Sequence, residues 1–129
     1  MNDKKKEKPK GEPALRTLAM PADTNPSGDI FGGWVLSQMD IAGALVANKL
    51  AKGRVATVAI DSMMFHLPVN VGDVVCCYAN TIRTGNTSIT MLVQVWVLRQ
   101  NSSTEHKVTE GEFTYVAIGD DKKPRAIFE

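Results

Sequence analysis

The sequence predicts an α+β domain in which an antiparallel sheet of about five strands wraps around one long central helix. Residues 33–52 contain no proline and are apolar over most of a helical circumference, so this helix should be buried. Four segments rich in β-formers follow it through short polar connections, an order that favours antiparallel pairing. One long apolar helix beside such a sheet must bury itself against it, and a curled sheet is the economical solution.

Each element has its own signal. Residues 15–20 (LRTLAM) read as a first strand, ended by Pro21. Asp23, Thr24, Asn25, Pro26, Ser27, Gly28 and Asp29 make a polar, turn-rich loop. Gly32 and Gly33 open the helix, and Gly53 stands where a C′ glycine would close it. At 1.5 Å per residue the helix would be roughly 30 Å long. Residues 54–67 form a β-rich run ended by Pro68, and 70–73 read as a turn. A strand over 74–83 leads through a hairpin connection at 84–87 into 88–99. There Ile89, Met91, Val93, Val95 and Val97 share one face. A polar loop over 100–106 precedes the last strand, 107–118.

The chain has 129 residues, enough for one domain with one core. Its formal net charge of +1 gives no general case for a nucleic-acid partner or an anionic membrane surface. Residues 1–12 carry Lys4, Lys5, Lys6, Lys8 and Lys10 against Asp3, Glu7 and Glu12, with almost nothing apolar to bury. They are expected to be a disordered, solubilising tail, with a phosphate-binding arm as the alternative, and 13–129 to be the folded domain. The early lysines are not followed by an apolar run, so no signal peptide is expected. Residues 34–50 are too polar to span a bilayer. Cys76 and Cys77 are adjacent on a strand and point to opposite faces, so they should not pair. Two such thiols fit a reducing cytoplasm. No Cys/His spacing suggests a metal.

Asp40 is the most informative polar residue. It lies mid-helix between Met39 and Ile41, on one face with Gly33, Ser37 and Ala44. That face is small and partly polar, open to a ligand or another backbone. Asp40 is either a general base or a structural carboxylate paired in the core. Gly32 and Gly33 present free N–H groups at the positive end of the helix dipole, which suits an anion or a developing oxyanion. Taken alone, a Gly-Gly pair is better explained by close packing against the sheet. Asn25 has an ordinary reading as a turn residue, and Asp23 and Asp29 as turn and cap residues. His106 falls in a polar loop. His66, at a strand end, is better explained by a structural role than a catalytic one, and Asp61, on a strand, either lines a site or satisfies neighbouring backbone. No serine sits in a nucleophile-elbow pattern.

The run from Ala19 to Asp40, AMPADTNPSGDIFGGWVLSQMD, resembles the YciA-type bacterial acyl-CoA thioesterases. The stretches GRVATVA from Gly53 and VGDVVCCY from Val71 resemble them too. The likeness runs over roughly residues 14–118 and joins a loop Asn, a Gly-Gly helix start and a helical Asp at fixed spacing. It implies a hotdog fold, in which a sheet wraps a long helix. It also implies hydrolysis of short- to medium-chain acyl-CoA with no cofactor, coenzyme A entering only as part of substrate and product. A homodimer with active sites at its interface is implied, usually in a trimer of dimers. The family's catalytic Asp falls on Asp40. The catalytic Asn of the related two-domain enzymes falls on Asn25, and there the two residues come from different hotdog units. Gly32 or Gly33 would then receive the thioester carbonyl.

The phosphates of CoA call for a basic rim, for which Arg54 and Arg83 are candidates. The loop of Gly85, Asn86, Thr87 and Ser88 could contact pantetheine. Ordinary surface charge and a plain hairpin are the competing explanations. Around Met64, His66 and Leu67 the chain departs from the family pattern, which leaves its chain-length preference open. A non-catalytic acyl-CoA-binding module is the alternative function, because fold does not fix function. A hotdog dehydratase ranks last, since no His lies between Met20 and Leu50.

Overall fold

The structure, a computed structural model, describes residues 7–128. Strand β1 (Glu12–Leu18) leads through a 3-10 turn at Pro21–Asp23 into helix α1 (Gly32–Ala51). Strands β2 (Val55–Phe65), β3 (Val74–Thr84), β4 (Ser88–Leu98) and β5 (Glu105–Ala117) follow. They form one antiparallel sheet in the order β1-β3-β4-β5-β2. The expected α+β architecture is therefore present, with β4 central and β1 and β2 at the edges.

The alternation read in β4 positions the core. Ile89, Met91, Val93, Val95 and Val97 are all fully buried beneath the helix, with Phe113 and Tyr115 of β5 beside them. The helix meets them with Val35, Met39, Ala42, Gly43, Ala47 and Ala51. Four of these six are Ala or Gly, so its buried face lets the sheet come close. The expectation of burial around most of the circumference is corrected here: Ile41 is 46% and Leu45 53% exposed. The core takes the small residues, and an apolar stripe stays open.

Three boundaries also move. β1 begins at Glu12, inside the segment expected to be a disordered tail. The Lys10 N–H donates to Gln94 Oε1 at 2.9 Å, and Lys107 Nζ lies 2.6 Å from Glu7 Oε2. The expected tail is thus corrected for residues 7–12, while residues 1–6 lie outside the described chain. The helix closes on Lys52, which takes the left-handed φ of 55°, rather than on Gly53. There the Lys52 and Gly53 N–H groups both donate to Asn48 O, and Arg125 Nη2 donates to Ala51 O at 2.8 Å. Cys76 and Cys77 do face opposite ways: Cys77 joins the core, and Cys76 accepts from Arg16 Nε at 3.3 Å on the outer face. Both are free thiols.

The outer face carries a polar network. Gln94 is buried, accepts from Trp96 Nε1 and donates to Glu110 Oε1 at 3.1 Å. Lys107 Nζ also reaches Glu110, at 3.1 Å. Burial raises the Glu110 carboxyl, but the Gln94 amide and the Lys107 ammonium outweigh it and hold the group below its usual range. A carboxyl lowered in the folded state adds stability above its unfolded pKa and loses it as pH falls through the folded value. Glu110→Gln removes that contribution. Its Tm should fall less steeply than wild type below about pH 4.3, as thermal melts across pH would reveal.

Candidate active site

Asp40 is half-buried on α1, at the border between the core and the open apolar stripe. Its Oδ1 accepts from Thr57 Oγ1 at 2.7 Å and from Tyr115 Oη at 3.2 Å. The same Tyr115 hydroxyl lies 3.0 Å from the Asp40 backbone oxygen. Oδ2 has no hydrogen-bond partner among the described residues. The carboxylate is therefore anchored through one oxygen and presents the other. Thr57 stands on the edge strand β2, and its side chain is solvent-accessible.

The electrostatics sort the neighbouring groups. Burial, then the Asp40 charge and its hydrogen bond, push the Tyr115 phenol well above its ordinary value. Tyr115 therefore remains a proton donor at every working pH. Burial, followed by the charge of Cys76, pushes the Cys77 thiol up to about 12. It stays protonated at neutral pH and is no nucleophile.

At the helix start, Trp34 N and Val35 N donate to Phe31 O, and no side chain caps the turn. The Gly32 and Gly33 N–H groups precede these bonds and point out of the helix end. Close packing does not account for Gly33, because a Cβ there would meet nothing within 4 Å. At Gly32 the nearest group is the Phe65 ring, 3.7 Å away. Beside this end lies a cavity of about 240 Å³, lined by Ile30, Gly32, Val35, Phe65, Leu67 and Thr109 among others. Thr109 Oγ1 is buried there without a hydrogen-bond partner.

Asn25 does the turn work its residue type suggests. Its Oδ1 accepts from Ser27 N at 2.9 Å and Asp29 N at 3.1 Å, while its backbone closes the loop onto Asp29 O and Gly28 N. Its amide Nδ2 donates to no described residue. Within one chain no hydrogen bond joins Asn25 to Asp40. The helix start and Asp40 are eight residues apart on α1, about 12 Å along its axis.

The remaining candidates gather elsewhere. Gly85 N donates to Ser88 O at 2.8 Å to close the β3–β4 hairpin, and Asn86 O and Thr87 O accept from Ile127 N and Ala117 N. Arg54 O accepts from Ile118 N, so Arg54 lies near this same end. Arg83 Nη2 is 3.9 Å from Glu112 Oε1. The largest cavity, about 830 Å³, is also at this end, among Val46, Leu50, Arg125, Ile127 and Phe128. It is remote from the helix start. Neither cavity includes Asp40, because that residue stands on an open face rather than in a closed hollow. His66 and Asp61 are exposed, and His66 is engaged through its backbone N–H to Val108 O.

Thr57 was invisible to residue-by-residue reading, since a threonine on a strand looks like any β-former. Its place within the GRVATVA stretch was the available signal.

Residues 27–103 match the thioesterase superfamily. The acyl-CoA thioester hydrolase YciA of Salmonella typhimurium is 55% identical over 122 residues, covering 92% of this chain and 92% of that protein. A hexameric thioesterase, y2039 from Yersinia pestis, superposes with a TM-score of 0.87 at 59% identity, over 92% of this chain and 96% of its own. HI0827, a hexameric broad-specificity acyl-coenzyme A thioesterase, does so with a TM-score of 0.89 at 47% identity, over 100% of this chain and 89% of its own. The five-stranded sheet around one helix is thus the hotdog fold, and the chain belongs to the thioesterase superfamily as a relative of the YciA-type acyl-CoA thioester hydrolases.

Proposed function

We propose that this protein hydrolyses acyl-CoA thioesters to free acid and coenzyme A at a site shared between two copies of the chain. The observation that carries the reading is the Asp40 carboxylate, anchored through Oδ1 and open at Oδ2 beside an uncovered apolar face. Relatives named as hydrolases favour turnover over an acyl-CoA-binding module.

Distance argues for two copies. About 12 Å of helix separates Asp40 from Gly32, more than an aspartate side chain and one thioester carbonyl can bridge. A second helix lying antiparallel to the first would bring its own Gly32 and Gly33 N–H groups, and its Asn25 amide, up to this Asp40. The surface for such pairing is present. On the edge strand β2, Val58 is 58%, Met64 55% and Phe65 55% exposed, as are Ile41 and Leu45 of the helix in part. A long apolar edge strand is a ready template for another chain. Covering these half-exposed side chains would contribute about 1 kcal/mol each. The hexameric relatives fit a trimer of such dimers.

In this arrangement the thioester carbonyl accepts from the Gly32 or Gly33 N–H of one protomer, which stabilises the developing oxyanion. Asn25 Nδ2 of that protomer orients the carbonyl or the attacking water. Asp40 Oδ2 of the other takes the proton from water, or itself attacks to give an anhydride that water then opens. The acyl chain enters the cavity at the helix start. Its lining of Ile30, Val35, Phe65 and Leu67 is apolar, as an acyl chain requires, and short to medium chains are the expected substrates. Arg54 and the loop from Gly85 to Ser88 are offered as CoA contacts, and Arg83 as part of a basic rim. The chemistry needs no cofactor beyond the coenzyme A of the substrate. No described helix is long and apolar enough to cross a membrane, and the free thiols fit a cytoplasmic setting.

A thiol-release assay across acyl-CoA chain lengths tests the reading. Asp40→Ala should lose about 10²- to 10⁴-fold in kcat while remaining folded and assembled. Wild-type turnover in that variant would exclude both routes. Asn25→Ala should cost about tenfold or more in kcat/KM, the effect of one lost charge-stabilising donor, with circular dichroism checking that the loop change leaves the fold intact. Leu45→Glu combined with Val58→Lys should dissociate the dimer in size-exclusion chromatography and abolish activity with it. An active monomer would rule out the shared site.

A further inference from the structure

We infer that Tyr115 is a positioning residue of the hydrolytic site: with Thr57 it ties down Asp40 Oδ1 and so selects Oδ2 as the reacting oxygen. The inference rests on the reading of Asp40 given above and goes beyond it.

The geometry is specific. Tyr115 is fully buried on β5, and the hydrogen bonds its hydroxyl makes within the described chain all go to Asp40. The hydroxyl lies 3.0 Å from the backbone oxygen and 3.2 Å from Oδ1, so it spans main chain and side chain of a single residue. That backbone oxygen already faces the N–H four residues on, as in any helix, and needs no further donor. What the hydroxyl adds is a fixed side-chain direction. Thr57 Oγ1, 2.7 Å from the same Oδ1, comes from the adjacent strand β2, where Thr57 is the register partner of Tyr115. Held by two strands, the carboxylate cannot exchange its oxygens by rotation without breaking both contacts.

The helix is built to admit this hydroxyl. Gly43 stands against it, and a Cβ at 43 would overlap the hydroxyl and lie 2.9 Å from Tyr115 Cζ. Phenylalanine could fill the same core volume without a polar atom to bury. A buried hydroxyl costs free energy unless it is bonded, so its retention calls for a task. Orienting one carboxylate is the task its contacts describe. Because Tyr115 remains protonated, it does not accept the proton taken from water; that proton goes to Asp40 Oδ2. The assignment is the same whether Oδ2 activates water or attacks the thioester.

The test measures kcat and KM for butanoyl-CoA on assembled wild type, Tyr115→Phe, Gly43→Ala, Thr57→Val and Asp40→Ala. Tyr115→Phe should lower kcat about ten- to hundredfold, the usual result of a misplaced catalytic group, with KM changed less than about twofold. Gly43→Ala, which displaces the hydroxyl but keeps it, should lower kcat in the same way. Tyr115→Phe combined with Thr57→Val should lose less than the product of the single losses, because both act on one oxygen. Wild-type kcat in Tyr115→Phe, a loss confined to KM, or multiplicative losses in the double variant would each overturn the inference. So would a Tyr115→Phe chain that fails to fold, since the hydroxyl would then serve the fold. Activity retained in Asp40→Ala would instead remove the reading beneath it, which separates the two failures.

Discussion

The contact on which the rest depends is the meeting of α1 with β5 at Gly43 and Tyr115. A helix lies close to a sheet only where its side chains are small, and here Ala42, Gly43 and Ala47 provide that bed. With the helix seated there, Met39 fills the core and Asp40, one residue on, is turned to the border. The same seating leaves Ile41 and Leu45 uncovered. Core packing, the placing of the carboxylate and the apolar stripe are three results of one rotational setting of one helix. A helix turned by a single residue step, about 100°, would bury the acid and lose the stripe.

That setting also underlies the proposal that the site is shared between two chains. The proposed hydrolysis needs the carboxylate and an oxyanion donor within a few ångströms of one carbon. A straight helix carries its N-terminal donors and a mid-helix acid at a fixed separation, and no side-chain rotamer closes it. Two helices side by side in opposite directions solve the problem by symmetry, each supplying what the other lacks. On this view assembly and catalysis draw on the same uncovered surface.

Much of this architecture could be read from the sequence, for reasons that differ by element. β4 was plain because strict alternation has one physical meaning when one face is buried. The helix was plain in extent, but not in which side it hides. Counting apolar residues favoured Ile41 and Leu45 as core, whereas the core selected the small residues that permit close approach. Near its C-terminal end Arg125, 74 residues away, donates to Ala51 O. Long-range contacts of this kind leave no local pattern. The same holds at the site. Asp40 stood out because an acid amid apolar neighbours is unusual. Thr57 and Tyr115 are ordinary strand formers until the sheet carries them to it. In the tail the side chains offer charge and almost nothing apolar, yet a lysine contributes a backbone N–H as well, and that of Lys10 donates to Gln94.

The sheet order has a consequence for how the protein is made. β2 is synthesised soon after the helix, yet its only neighbour in the sheet is β5, the last strand to emerge. The carbonyl that ends the helix likewise waits for Arg125. During translation, then, the apolar edge strand exists for some forty residues of elongation before β5 begins to arrive and pair with it. β1, β3 and β4 can pair and meet the helix as they emerge, but β2 is seated in the sheet only by a late event, the arrival of β5. The interval before that event is when nascent copies on one message are most exposed to one another.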